Sequence, residues 1–274
     1  MPTSEIQNEM ITYDGSTGKI EAYLTRPSNS GKHPGVVVIH EIFGLSDHIK
    51  DVANRFASQG FVALAPQLFS RQDLKPILTP ENIGAAMGFM RSLPTGKMRD
   101  MKFVQEELQK IPDENKRRNI GRTMGLLFGG LPKESLVEDL LCGVDFLDRQ
   151  DYVTKGKVAS VGFCFGGGMS VALACKGKTA ACVIFYGENP EPIEQVRNIA
   201  GPILGLYGGD DERINANLDK LVKAMTTYKK DFEMRIYPGA PHAFFNDTNK
   251  QTYREEAAKD AWDRVLRFYS RTLS

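Results

Sequence analysis

Lys157-Val158-Ala159-Ser160-Val161-Gly162-Phe163-Cys164-Phe165-Gly166-Gly167-Gly168-Met169 reads as a buried strand, then G-x-C-x-G, then the start of a helix. A strand that turns this sharply into a helix brings two backbones together. Gly162 and Gly166 stand where a side chain would collide with that crossing. The residue between them is lifted above the strand end at a helix N-terminus, where the dipole favours a thiolate. A glycine-rich turn around a buried cysteine would carry the same letters. The flanking strand and helix favour a nucleophilic thiol at Cys164.

Working outward, short apolar runs at residues 35–39, 61–65, 158–163, 181–186, 202–207 and 233–237 have the character of buried parallel strands. Between them, residues 47–59 place Ile49, Val52, Ala53, Phe56 and Ala57 on one face at helical period, with Gly60 as the stop. Residues 136–147, 218–225 and 257–268 repeat that pattern. Residues 9–13 and 19–25 are expected as an antiparallel pair around Asp14-Gly15-Ser16-Thr17-Gly18, a turn that lacks phosphate-loop spacing. Strands alternating with helices predict an α/β fold, a mostly parallel central sheet with helices on both faces. One stretch breaks the rhythm. Residues 76–132 hold no convincing strand but show helical pieces at 78–91 and 101–111 and a basic cluster, Lys116-Arg117-Arg118, expected at a solvated helix end. An excursion this long is expected to be a lid-like helical insertion within a single domain spanning 1–274.

The composition is that of a globular chain, 41% hydrophobic and 25% charged over 274 residues. Its 35 basic and 34 acidic residues leave a net charge of +1, which argues against nucleic acid and anionic membranes as partners. No apolar run approaches the ~20 residues of a membrane span. The amino-terminal Met1-Pro2-Thr3-Ser4-Glu5 lacks the basic and apolar regions of a signal peptide, so a soluble, cytoplasmic protein is expected. The four cysteines form no C-x-x-C pair and no histidine stands at ligand spacing from them, so no metal site is expected. Cys142, Cys175 and Cys182 read as small core residues.

A thiol nucleophile needs a base, and the base needs an orienting carboxylate. Of four histidines, His33 and His48 are expected in solvent, and His40 is expected to pack or hydrogen-bond at the end of the first parallel strand. His242 lies after the last strand in Tyr237-Pro238-Gly239-Ala240-Pro241-His242-Ala243-Phe244 and is the candidate base. The carboxylate is expected between Cys164 and His242, in Gly208-Gly209-Asp210-Asp211-Glu212. Asp210 and Asp211 are both open, and either can simply cap the turn.

Gly162-Phe163-Cys164-Phe165-Gly166-Gly167 and His40-Glu41-Ile42-Phe43-Gly44 together resemble the dienelactone hydrolases, which have the α/β-hydrolase fold. Ala65-Pro66-Gln67-Leu68-Phe69-Ser70-Arg71-Gln72, the Gly208-Gly209-Asp210-Asp211 turn and Pro241-His242-Ala243-Phe244 extend the resemblance from about residue 10 to the carboxyl end. The resemblance implies Cys164 as nucleophile, His242 as base and Asp211, rather than Asp210, as its acid. It implies that Glu41 takes part in the thiol's substrate-triggered ionisation, and that the N–H groups of Ile42 and Phe165 form an oxyanion hole. Members that hydrolyse dienelactone hold the substrate carboxylate with two arginines. Arg71 matches the first, and Asn246 stands where the second belongs. The implied activity is hydrolysis of a small ester or lactone of the carboxymethylenebutenolide type through a thioester, with neither metal nor organic cofactor. The alternatives are a broad esterase or thioesterase for neutral substrates and a redox-responsive thiol protein without turnover. Nothing in these motifs speaks to the oligomeric state.

Overall fold

The computed structural model describes residues 5–98 and 100–274 and divides into two compact units. One is built from the chain up to Leu68 together with Glu134–Ser274, the other from Phe69–Lys133.

The larger unit is an eight-stranded sheet. A hairpin, β1 (Ile6–Asp14) and β2 (Lys19–Pro27), starts it, with Asp14 opposite Lys19 across the turn. β3 (His33–Ile39), β4 (Val62–Pro66), β5 (Val153–Phe163), β6 (Cys182–Phe185), β7 (Ile203–Gly208) and β8 (Phe232–Tyr237) follow. Their spatial order is β1-β2-β4-β3-β5-β6-β7-β8; β2 joins β4 antiparallel, and every pairing from β4 to β8 is parallel. The chain has the α/β-hydrolase fold, as its motifs predict.

Strand alternation sends side chains to two cores. Val161, Phe163, Val183 and Phe185 point to one, where they meet α1 (Asp47–Ser58) through Val52 and Phe56 and α9 (Glu255–Leu273) through Val265 and Phe268. Cys182 and Ile184 point to the other, packed with α6 (Phe165–Ala174) and with α8 (Leu218–Thr227). The predicted strands and helices of this unit are present with ends displaced by a few residues. The largest differences are at β5, which starts five residues early at Val153, and at α9, which runs on to Leu273.

The smaller unit is helical. α2 (Pro80–Ser92) is capped by Thr79, α3 (Met101–Gln109) by Asp100, and α4 (Glu114–Gly125) by Asp113. Each capping oxygen accepts a backbone N–H of the first turn, at 3.1, 3.1 and 3.0 Å respectively. Ala86, Leu93, Val104, Leu108, Ile120 and Met124 form a core of its own. α4 was not among the expected helices, because charge dominates its face; Lys116, Arg117 and Arg118 lie in its first turns. Its last turn widens over Leu126–Gly130 before α5 (Lys133–Asp148) begins. Among the described residues no helix is long and apolar enough to cross a membrane.

Candidate active site

Cys164 bridges β5 and α6 with φ 55° and ψ −114°, a conformation a residue with a Cβ rarely adopts. It is held there by its N–H, which donates to Phe185 O (3.0 Å), and by its C=O, which accepts from Gly167 N (2.9 Å). The glycines are required sterically. A Cβ on Gly162 would lie 1.8 Å from Gly166 O, and one on Gly166 would lie 2.3 Å from Ile39 O. The strand, the helix and the end of β3 therefore meet backbone to backbone beneath the thiol.

Above that crossing, Cys164 Sγ lies 3.0 Å from His242 Nε2, and His242 Nδ1 is hydrogen-bonded to Asp211 Oδ2. His242 is carried by the turn after β8, anchored by Phe244 and Phe245, which are fully buried in the sheet core. The edge of the Tyr186 ring faces it at 5.1 Å. Asp211 divides its carboxylate: Oδ1 accepts the N–H of Ile214 at 3.4 Å, capping the short helix α7 (Glu212–Asn215), while Oδ2 meets the imidazole. Asp210 is exposed and its N–H is bonded to Ala240 O, so of the two aspartates only Asp211 reaches the ring. The preceding glycine has a steric reason: a Cβ on Gly208 would lie 2.5 Å from Ala240 O.

Burial opposes a charge on His242, but its hydrogen bonds to Asp211 and Cys164 and their charges prevail, pushing its pKa up to about 10. A buried carboxyl completes the cluster. Glu41, in the turn after β3, is 3% exposed, and Asn246 Nδ2 donates to its Oε2 at 2.6 Å. Burial raises the pKa of Glu41, offset in part by the Asn246 hydrogen bond and the nearby charge of His242.

The family model of the dienelactone hydrolase family matches residues 20–273. The chain belongs to the dienelactone hydrolase family. A protein of Saccharolobus solfataricus named as a candidate carboxymethylenebutenolidase is 40% identical over 95% of this chain and 97% of its own length. A crystal structure of a candidate dienelactone hydrolase from Klebsiella pneumoniae superposes with a TM-score of 0.75 at 25% identity, covering 97% of this chain and 99% of that one. A dienelactone hydrolase-like promiscuous phosphotriesterase from metagenomic libraries shares the fold, with a TM-score of 0.72 at 22% identity over 98% of this chain and 99% of its own. The chain is thus a hydrolase of esters or lactones.

The remaining expected site residues are placed as follows. Ile42 lies in the Glu41–Gly44 turn, and Phe165 is the first residue of α6, where helix N–H groups point out of the first turn. Asn246 is engaged at both ends of its amide: Nδ2 with Glu41, and Oδ1 with Thr248 N (3.1 Å) and Oγ1 (2.6 Å). Arg71 belongs to the helical unit, is 6% exposed, and its Nε donates to Asp73 Oδ1 at 2.9 Å. His40 hydrogen-bonds rather than meeting the thiol: Nδ1 faces Glu41 O at 2.5 Å and Nε2 accepts Leu68 N at 3.2 Å. Burial lowers its pKa to about 4.

Two corrections concern residues that look ordinary in sequence. His48 is buried rather than in solvent, with Phe163 and Phe245 edges around its ring and Nδ1 3.3 Å from Asp247. Cys142 is half-buried, while Cys175 and Cys182 are core. Tyr186 escaped sequence reasoning altogether. It is fully buried with φ 39° beside Gly187, and a strand ending in Tyr-Gly is the one signal that marks it.

Proposed function

We propose that this hydrolase cleaves a carboxylic ester or lactone through a thioester on Cys164. His242 Nε2 takes the thiol proton, and the sulfur adds to the carbonyl carbon. The carbonyl oxygen becomes an oxyanion held by the N–H groups of Phe165 and Ile42. Collapse breaks the C–O bond, and the alkoxide or enolate leaving group receives the proton from His242. Water, deprotonated by the same imidazole, then adds to the thioester and releases the acid, restoring the thiol. Asp211 orients the ring and stabilises the imidazolium. Glu41, close enough to act on His242 electrostatically, takes part in ionising the thiol. The observation that carries the reading is the unbroken line of hydrogen bonds from Asp211 through His242 to a sulfur in strained backbone geometry.

The helical stretch 76–132 is read as an insertion within one hydrolase domain, supported by its place in the chain between β4 and α5. A thiol nucleophile with three further free cysteines suits a reducing compartment such as the cytoplasm.

The test is Cys164→Ala with an activated ester. Turnover is expected to fall at least about 10⁴-fold with the fold intact, since loss of a triad nucleophile leaves only oxyanion and binding effects. Cys142→Ala and Cys175→Ala keep near-normal turnover. Near-normal turnover in Cys164→Ala would overturn the mechanism, and its absence in the wild type would favour a thiol protein without catalysis.

A second reading, a neutral ester or thioester as substrate, is favoured by one feature. Both side chains that would hold a substrate carboxylate are already engaged, Arg71 by Asp73 and Asn246 by Glu41.

A further inference from the structure

β8 is the last strand of the sheet, and its outer edge matches itself. The parallel register sets Ile203 against Phe232 and Gly205 against Met234, with Ile203 N donating to Asp231 O (2.9 Å) and Gly209 N to Tyr237 O (2.7 Å). A parallel ladder bonds every second residue, so residues 231, 233, 235 and 237 face β7. The backbone N–H and C=O groups of Phe232, Met234 and Ile236 therefore point out of the sheet. Met234 and Ile236 are 41% and 39% exposed, an unusual state for large apolar side chains on a strand.

We propose that β8 pairs antiparallel with β8 of a second copy of this chain, about a two-fold axis through Met234. In that register the outward-facing residues form the hydrogen-bonded pairs: Met234 with its twin and Phe232 with Ile236. Glu233 then stands opposite Arg235 twice, in the non-hydrogen-bonded positions where side chains approach more closely. The charged and apolar rows lie on different faces. Glu233 turns towards α9, where it is paired with Arg271. Phe232 turns towards α8, packing with the cluster that holds Leu221 and Met225. Two-fold rotation maps each row onto itself with matching chemistry, as an isologous contact requires. On the other edge, by contrast, pairing β1 about its exposed Met10 would set Glu9 against Ile11. Alternating charge also explains how an open edge avoids other strands while accepting its own copy. A specific interface needs more than roughly 1,000 Å² in total, so the neighbouring surfaces of α8 and α9 belong to it.

The experiment is sedimentation velocity on the full chain across micromolar concentrations, with ester hydrolysis as the check on folding. Wild type is expected to sediment as a dimer. Met234→Pro removes only an outward N–H and no bond to β7, and is expected to sediment as a monomer. Glu233→Arg sets arginine against arginine and is also expected to be monomeric. The double exchange Glu233→Arg with Arg235→Glu restores both pairs and is expected to return the dimer. A monomeric wild type overturns the proposal. So does a dimer that persists in active Met234→Pro and Glu233→Arg, and so does a double exchange that stays monomeric.

Discussion

The imidazole of His242 is subject to opposed influences: burial disfavours its charge, while the hydrogen bonds and negative charge of Asp211 on one side and of the Cys164 sulfur on the other favour it. The second wins, and the folded pKa lies near 10 against 6.5 for a free histidine. A group whose pKa is raised on folding stabilises the fold fully below its unfolded value and loses that contribution as pH rises through the folded one. Wild-type stability is therefore expected to decline between pH 6.5 and about 10 by an amount due to His242. In Asp211→Asn the cap on Ile214 can persist but the charge is gone, so the share of the decline owed to Asp211 should vanish and the share owed to Cys164 remain. Urea unfolding of both proteins across this range is the measurement; parallel curves would show that Asp211 does not hold the ring's proton. Asn246 offers a second residue-scale prediction. Asn246→Leu leaves a 3%-exposed carboxyl and the Thr248 N–H without partners, which is expected to cost about 1–3 kcal/mol in chemical denaturation. The pairing joins residues 205 apart in the chain, and no spacing in the sequence marks it.

At the scale of elements, the strand–turn–helix at Cys164 was legible because its glycines are dictated by backbone contact rather than by a ligand. Gly166→Ala would drive a Cβ to 2.3 Å from Ile39 O and 2.6 Å from His40 O. Both obstacles are backbone, so β3 must shift relative to α6, and a loss above roughly 3 kcal/mol is expected. Gly84→Ala is the control. It lies within α2 with nothing within 4 Å of the added Cβ, and is expected to stabilise by about 0.5–1 kcal/mol. Thermal or chemical denaturation of the pair separates crowding from chain entropy; a tolerated Gly166→Ala would remove the steric account of the elbow. The same distinction explains what could not be read. α1 and α9 carry clean apolar stripes, and both were visible. α4 buries only Ile120, Thr123 and Met124 along a charged surface, so its pattern is weak. His48 looked like a solvent residue because it begins a helix expected at the surface, yet its helical position places it with Val52 on the buried face.

For the whole molecule, net charge bears on substrate choice. With 35 basic against 34 acidic residues the chain supplies little long-range attraction for an anionic ester, so any preference for one must come from local contacts. The two local candidates are occupied: Arg71 by Asp73, Asn246 by Glu41. Asp73 is 54% exposed, so its pairing with Arg71 is open to solvent and weak enough for a bound carboxylate to contest. The residues alone thus left the substrate's charge open, and their contacts favour a neutral ester. A matched pair of esters, one neutral and one bearing a carboxylate on the acyl side, decides the matter through kcat/KM. The neutral ester is expected to be cleaved at least as well as its acidic partner, with little dependence on ionic strength for either. Arg71→Ala is expected to change the ratio of the two by less than about threefold, because no charge-assisted bond to substrate is lost. Asn246→Arg is expected to slow both, since it replaces the amide that holds Glu41. A clear preference for the acidic ester, reduced roughly ten- to a hundredfold by Arg71→Ala, would instead assign that guanidinium to the substrate carboxylate. Asp73 would then be a placeholder that the substrate displaces, and the neutral-ester reading would fall.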